Sequence, residues 1–183
     1  MFDALAALTT HDVPWQRVQV FQVDERVAPD GDPDRNATDL AEHLLRHVAI
    51  RKGAVHLMPV SARSLNLAAD RYARALGETP LDIVHLGIGD DGHTASWPPG
   101  DRVIDSPSRV AVSSQYRGRV RMTITPPVVN AARARLVLVS GFSKSEPLAA
   151  WLQRRGDLPI SHVKRSGTTL VLDAAAASEL PPG

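Results

Sequence analysis

The run Leu81-Asp82-Ile83-Val84-His85-Leu86 and the turn Gly87-Ile88-Gly89-Asp90-Asp91-Gly92-His93 behind it constrain the fold more than any other segment. A nearly continuous apolar strand is expected where a sheet is covered on both faces, the condition of parallel strands in α/β proteins. In such sheets ligands bind beyond the carboxyl ends of the strands, so a polar, glycine-rich turn at that end is where chemistry is expected. Other segments repeat the alternation. Val18-Gln19-Val20-Phe21-Gln22-Val23 alternates as a strand does, and residues 55–60 read as another. Asn36 is expected to cap a helix with Ala37, Leu40, Ala41, Leu44, Leu45 and Val48 on one stripe. A second helix turns Leu65, Ala68, Ala69, Tyr72, Ala73 and Leu76 inward and stops at Gly77. Further strands are expected at residues 110–113, 119–125, 135–139 and 168–172, with helices near 128–134 and 145–154. Strands interleaved with helices predict an α/β fold: a Rossmann-like, doubly wound, mostly parallel sheet with helices on both faces.

With 183 residues, the chain is expected to form a single domain over residues 1–183. An apolar share of 43% is too high for a disordered chain, and no uncharged apolar run reaches the 18 residues of a membrane-spanning helix. A net charge of +1 gives no general reason to bind nucleic acid or an anionic membrane, so any anion site is local. Zero cysteines exclude disulfides, thiolate catalysis and cysteine-based metal sites, and make a cytoplasmic setting the default. The opening Met1-Phe2-Asp3-Ala4-Leu5-Ala6-Ala7-Leu8 reads as the middle of an amphipathic helix with no cap and no strand before it, so a missing front is expected. A signal peptide does not explain it, because a basic start is absent, Asp3 comes early and the apolar run is short.

Four constellations carry chemistry. Gly87-x-Gly89-x-x-Gly92 has the spacing of a dinucleotide fingerprint, but Pro98 and Pro99 follow closely and prevent a long helix from aiming its N-terminus at a pyrophosphate. The glycines more readily serve a tight turn that presents His93, with Asp91 placed to orient its ring; a solvent-facing histidine beside a turn is the plain alternative. His43 and His47 have metal-ligand spacing but lie off the apolar stripe beside Glu42 and Arg46, as on a solvated helix face. Asp24-Glu25-Arg26 ends a strand either as an internal ion pair or as an anion and hydroxyl site. Lys144 is one of only three lysines and follows a strand and Gly141 at a helix start, where a lysine opposes the helix dipole but favours a phosphate.

Together these segments resemble the 6-phosphogluconolactonase family, within the group that includes glucosamine-6-phosphate deaminases. The resemblance rests on Val20 through Arg26, Asn36, Leu86 through Ser96, Arg121-Met122-Thr123-Ile124-Thr125-Pro126, Gly141-Phe142-Ser143-Lys144 and Leu170 through Ala176, in the family's order over nearly the whole chain. The branch is separated after the Asp-Gly-His turn. Thr94-Ala95-Ser96-Trp97-Pro98-Pro99-Gly100 resembles the lactonase form, and Pro98 stands where a deaminase carries an acid–base glutamate.

The resemblance implies hydrolysis of 6-phospho-D-glucono-1,5-lactone to 6-phospho-D-gluconate, a step of the oxidative pentose phosphate pathway. His93 is then the general base, Asp91 its orienting partner, and Asp24 the carboxylate that positions a hydroxyl or water. Arg26 and the amides of Gly89 and Gly92 are candidates for the oxyanion or substrate oxygens, and Lys144 for the 6-phosphate, with Arg121 and Arg165 as helpers. No cofactor or metal is implied, and the partner is a small sugar phosphate. Family members carry an additional strand and a Ser-Gly-Gly phosphate turn before the segment matching residues 1–8. The alternatives are a truncated, non-catalytic sugar-phosphate-binding relic and a deaminase.

Overall fold

Backbone pairing sorts the expected strands into three ladders that share one core. The computed structural model describes residues 13–181, so the expected helix at residues 1–8 lies outside the described residues. In chain order the elements are β1 (Val20–Phe21), β2 (Asp24–Arg26), α1 (Asn36–Leu40), β3 (Val55–His56), α2 (Leu65–Leu76), β4 (Ile83–Leu86), β5 (Val110–Tyr116), β6 (Arg119–Ile124), α3 (Pro126–Ala131), β7 (Ala134–Val139), α4 (Ser145–Leu152) and β8 (Thr168–Leu172). β1 and β3 pair in parallel, as do β4, β7 and β8 in the order β4-β7-β8. β2, β6 and β5 form an antiparallel unit in that order. The parallel α/β expectation therefore holds for two ladders, and the antiparallel unit is an addition to it.

The strand expected over residues 18–23 is divided by Gln22, which is buried at 5% exposure. Its side-chain oxygen accepts from the Met58 amide at 2.7 Å and its nitrogen donates to Glu25 Oε2 at 2.9 Å. Those bonds satisfy a buried amide while the chain leaves one ladder for another. β4 is also shorter and less covered than its apolar run predicts. Val84 and Leu86 are buried at 1%, whereas Ile83 is 66% exposed, so this strand has one core face.

The helix expected from Asn36 starts there, but the capping mechanism differs. Asn36 is its first residue, and the carboxylate of Glu25 accepts from the amides of Asn36 and Ala37, both at 2.9 Å. An anion from a strand thus satisfies the unpaired N–H groups of a distant helix. After Leu40 the helix widens into a π-helical turn over Ala41–Leu45. His43 Nδ1 and His47 Nε2 each lie within 2.9 Å of a carbonyl of the same segment, those of Asp39 and Glu42.

α2 begins as capping chemistry requires, with Ser64 accepting from the Leu67 amide, and ends at Gly77 with φ of 64°. Its inward residues Ala68, Ala69, Tyr72 and Leu76 join a core with Leu86, Trp97, Met122, Ile124, Val137 and Leu148. Trp97 and Met122 have no exposed surface, and burial of side chains this large stabilises by about 2–3 kcal/mol each. This core supports all three ladders and fixes the strand ends relative to one another. Among the described residues no helix is long and apolar enough to cross a membrane.

Candidate active site

The turn after β4 is built around His93. The Gly89 amide donates to the His93 carbonyl at 2.7 Å, and the Gly92 amide donates to the Gly89 carbonyl at 3.1 Å. Gly92 has φ of 79°, and a Cβ there would meet Leu158 at 2.9 Å. Gly89 makes room for chemistry more directly: a Cβ would lie 1.9 Å from Nδ1 of His93. Both glycine amides are committed within the turn, so they are not available to an oxyanion as the sequence led us to expect. Their contribution is shape.

His93 Nδ1 lies 2.6 Å from Asp91 Oδ1, and the His93 amide donates to the same oxygen at 3.1 Å. The other oxygen, Oδ2, accepts from the Tyr116 hydroxyl at 2.5 Å. Burial pushes the Asp91 carboxyl up, but the bonds from Tyr116 and His93 outweigh it and hold it at about 2. Burial and the neighbouring Asp91 push the Tyr116 phenol up to about 12, which keeps it a donor. His93 Nε2 has no hydrogen-bond partner among the described residues. The imidazole is therefore oriented from one side and open on the other.

Asp24 reaches this turn from β2. Its Oδ2 accepts from the Ser96 hydroxyl at 2.6 Å, while Asn36 Nδ2 donates to its carbonyl at 3.0 Å and to Oδ1 at 3.3 Å. Asp24 keeps some solvent contact, yet enclosure by surrounding protein pushes its carboxyl up against the opposing effects of Ser96, Arg26 and Arg121. Ser96 is held by a turn in which Ala95 adopts a left-handed φ of 49°, and Trp97 donates to the Ile124 carbonyl at 2.8 Å.

Antiparallel pairing of β2 with β6 sets Arg26 directly opposite Arg121. Like charges in facing positions repel. Arg26 disperses part of its charge by donating from Nη1 to the Asp34 carbonyl at 2.7 Å and to Asn36 Oδ1 at 3.2 Å. Arg121 is 7% exposed, and none of the described residues accepts a hydrogen bond from it. Burial, then Arg26, draws its pKa down, the reverse of what a paired guanidinium shows. Its Cζ stacks 5.0 Å from the centre of the Tyr116 ring.

Lys144 ends a 3-10 turn over Phe142–Lys144 that leads into α4. Asp173, just beyond β8, fixes that turn by accepting from the Gly141 amide at 3.0 Å and from the Ser140 hydroxyl at 2.7 Å. Lys144 lies close enough to Asp90 to help hold that carboxyl down, which brings it to the His93 turn; the larger influence on Asp90 is its ion pair with Arg117. Arg165 is elsewhere. Its Nη1 donates to the Leu152 carbonyl at the end of α4 at 2.7 Å, one helix of about 12 Å away from Lys144. That bond satisfies a terminal carbonyl.

His93, Asp91, Asp24, Arg26, Arg121 and Lys144 thus gather where two ladders, β2-β6-β5 and β4-β7-β8, come together, with Gly89 and Gly92 shaping the turn. Arg165 does not join them, and Tyr116 and Ser96 were not foreseen. The Gly118 turn after Tyr116 signals a hairpin, but nothing local shows where the tyrosine points. Asp90, Asp91 and His93 each place a metal-ligating atom within 4.8 Å of the others, although Asp91 and Asp90 already bond His93 and Arg117. A surface cleft of about 590 Å³, lined in part by Pro107, Asn130, His162 and Lys164, includes none of the gathered residues.

Residues 1–172 match the model of the glucosamine-6-phosphate isomerases/6-phosphogluconolactonase family. The chain belongs to that family. It is 32% identical to a 6-phosphogluconolactonase of a Nostoc species, over 98% of this chain and 79% of that protein. Identity to the 6-phosphogluconolactonase of Streptomyces coelicolor is 31%, over 97% of this chain and 76% of the relative. The crystal structure of 6-phosphogluconolactonase from Thermotoga maritima superposes with a TM-score of 0.85 at 26% identity, over 93% of this chain and 79% of the other. A monomeric glucosamine-6-phosphate deaminase also superposes, with a TM-score of 0.83 over 97% of this chain and 82% of the other; at 22% identity that likeness shows the shared fold alone. Family membership places the His93 turn and the Lys144 turn in a fold that serves phosphosugars.

Proposed function

We propose that the chain hydrolyses 6-phospho-D-glucono-1,5-lactone to 6-phospho-D-gluconate in the oxidative pentose phosphate pathway. The observation that carries this reading is the one-sided imidazole of His93, fixed by Asp91 at Nδ1 and open at Nε2, beside an unpaired buried guanidinium. The relatives in Nostoc and Streptomyces coelicolor bear the name of this activity. Pro98 also supports the lactonase branch, since it offers no carboxylate for the proton transfers of a deaminase.

In this reading Nε2 takes a proton from water as the water oxygen adds to C1 of the lactone. Negative charge develops on the former carbonyl oxygen and is met by the guanidinium of Arg26 or Arg121, the facing pair whose mutual repulsion an anion relieves. Asp91 stabilises the imidazolium by its bond to Nδ1. Collapse breaks the bond between C1 and the ring oxygen, which takes the proton back from Nε2. Asp24, held by Ser96 and Asn36, positions a substrate hydroxyl or the water, and Lys144 holds the 6-phosphate. Neither a cofactor nor a metal takes part. The substrate and the cysteine-free composition agree with a cytoplasmic setting and a small-molecule partner.

The test supplies freshly prepared lactone and follows acid release, with ammonia release from glucosamine 6-phosphate measured in parallel. Acceleration of acid release well above the spontaneous rate, with no ammonia, is expected. Binding of 6-phosphogluconate without acceleration would mark a non-catalytic binder, and ammonia release would mark a deaminase.

A further inference from the structure

β5 and β6 meet in a two-residue turn, Arg117-Gly118, in which both residues have positive φ, 47° and 81°. That is the geometry whose twist matches a right-handed hairpin, and it costs strain at the non-glycine Arg117. One strand also carries an extra residue. Ser113 faces Arg121 and Tyr116 faces Arg119, so three steps along β5 match two along β6. Bulges of this kind re-aim a side chain and are frequent beside active sites.

The re-aimed side chain is Tyr116. Its hydroxyl donates to Asp91 Oδ2 at 2.5 Å and sits 3.2 Å from His93 Nδ1, and its ring meets the imidazole edge-on at 5.3 Å between centres. The guanidinium of Arg117 lies 5.2 Å from the ring centre and that of Arg121 lies 5.0 Å from it. Arg117 also pairs with Asp90, so the hairpin tip touches the His93 turn at two successive carboxylates. We propose that Tyr116 is a positioning residue, which fixes the Asp91–His93 pair from the hairpin tip and holds the Arg121 guanidinium against the same site. The inference rests on the hydrolytic reading of His93.

The alternative is a ring that only fills space. Removal of the hydroxyl separates the two, because Phe keeps the surface on which Arg117 and Arg121 stack. Without the phenol Asp91 loses a donor, its carboxylate holds a proton on the His93 ring more strongly, and the acid limb of kcat/KM, where the base is protonated, moves to higher pH. Around Asp91 the groups that share in this balance are His93, Asp90 and Lys144 on the strand-end turns and Tyr116, Arg117 and Arg121 on the hairpin.

The experiment is a double-mutant cycle of Tyr116→Phe and Asp91→Asn, with lactone hydrolysis measured across pH. Tyr116→Phe is expected to lower kcat about tenfold with KM within about twofold, to shift the acid limb upward, and to add nothing in the Asp91→Asn background. Unchanged kcat and acid limb, or a loss that multiplies with that of Asp91→Asn, would overturn the proposal. If Tyr116→Phe does not fold, 3-fluorotyrosine in place of Tyr116 is the second probe. Its stronger donor is expected to move the acid limb down, and an unmoved limb would overturn the proposal. Nuclear magnetic resonance of the His93 Nδ1 proton is the readout independent of turnover. Its resonance is expected to shift in the Phe or fluorotyrosine protein even if the wild type fails to hydrolyse lactone, and no shift would contradict the role of Tyr116 by itself.

Discussion

At the residue scale the site depends on what Gly89 lacks. The virtual Cβ falls almost on the His93 ring, and the ring can escape only by leaving Asp91. Gly89→Ala is therefore expected to fold and to lose about 100-fold in kcat, as a displaced catalytic group does. A circular dichroism melt alongside steady-state kinetics checks both halves. Asp24 gives a prediction of opposite kind. A carboxyl whose folded pKa is raised contributes stability that is present at low pH and is lost as pH rises through that pKa. Asp24→Asn keeps a polar group for Ser96 and Asn36 without the buried charge. It is expected to melt higher than wild type at pH 8, to converge with it as pH falls and Asp24 protonates, and to hydrolyse lactone more slowly. Melting curves across pH check the sign; a variant that melts lower at pH 8 would contradict it. Asp91 has the contrary linkage, since its carboxyl is held down at about 2 and its contribution disappears as pH falls through that value.

At the scale of elements, Glu25 joins a strand to a helix. Its fully buried carboxylate accepts from the α1 amides, Gln22 and the Arg26 amide, and pairs with Arg35 Nε at 3.1 Å. Glu25→Ala leaves the buried Arg35 without that partner and α1 without its cap. A loss of about 3–5 kcal/mol is expected, measured by urea denaturation. A loss below about 1 kcal/mol would show that the carboxylate is not the connection described. This role was hidden in the sequence, where Asp24-Glu25-Arg26 is one charged cluster and Asn36 is the obvious cap. Apolar period placed β7, β8 and α2 closely, and the Gly-rich turn exposed His93 and Asp91, because those signals are local. The antiparallel register of Arg26 on Arg121, the bulge before Tyr116 and the distance of Arg165 from Lys144 are set by pairing between remote segments. No local spacing encodes them.

At the scale of the molecule, one core carries three ladders, and two of them meet at an imidazole, two carboxylates and three cations. None of β2, β4 or β7 supplies more than a part: Asp24 and Arg26 come from the first, His93 and Asp91 follow the second, and Lys144 follows the third. The shared packing of Leu86, Met122, Ile124 and Val137 keeps these parts in register, so the site is a property of the whole fold. The proposed role of His93 is to open the lactone. Its most direct test is the rate of acid release by His93→Ala against the wild-type protein, corrected for spontaneous hydrolysis. In His93→Ala kcat is expected to fall by about 10²–10⁴-fold, toward background, while 6-phosphogluconate still binds. A His93→Ala protein that hydrolyses lactone at the wild-type rate would contradict it.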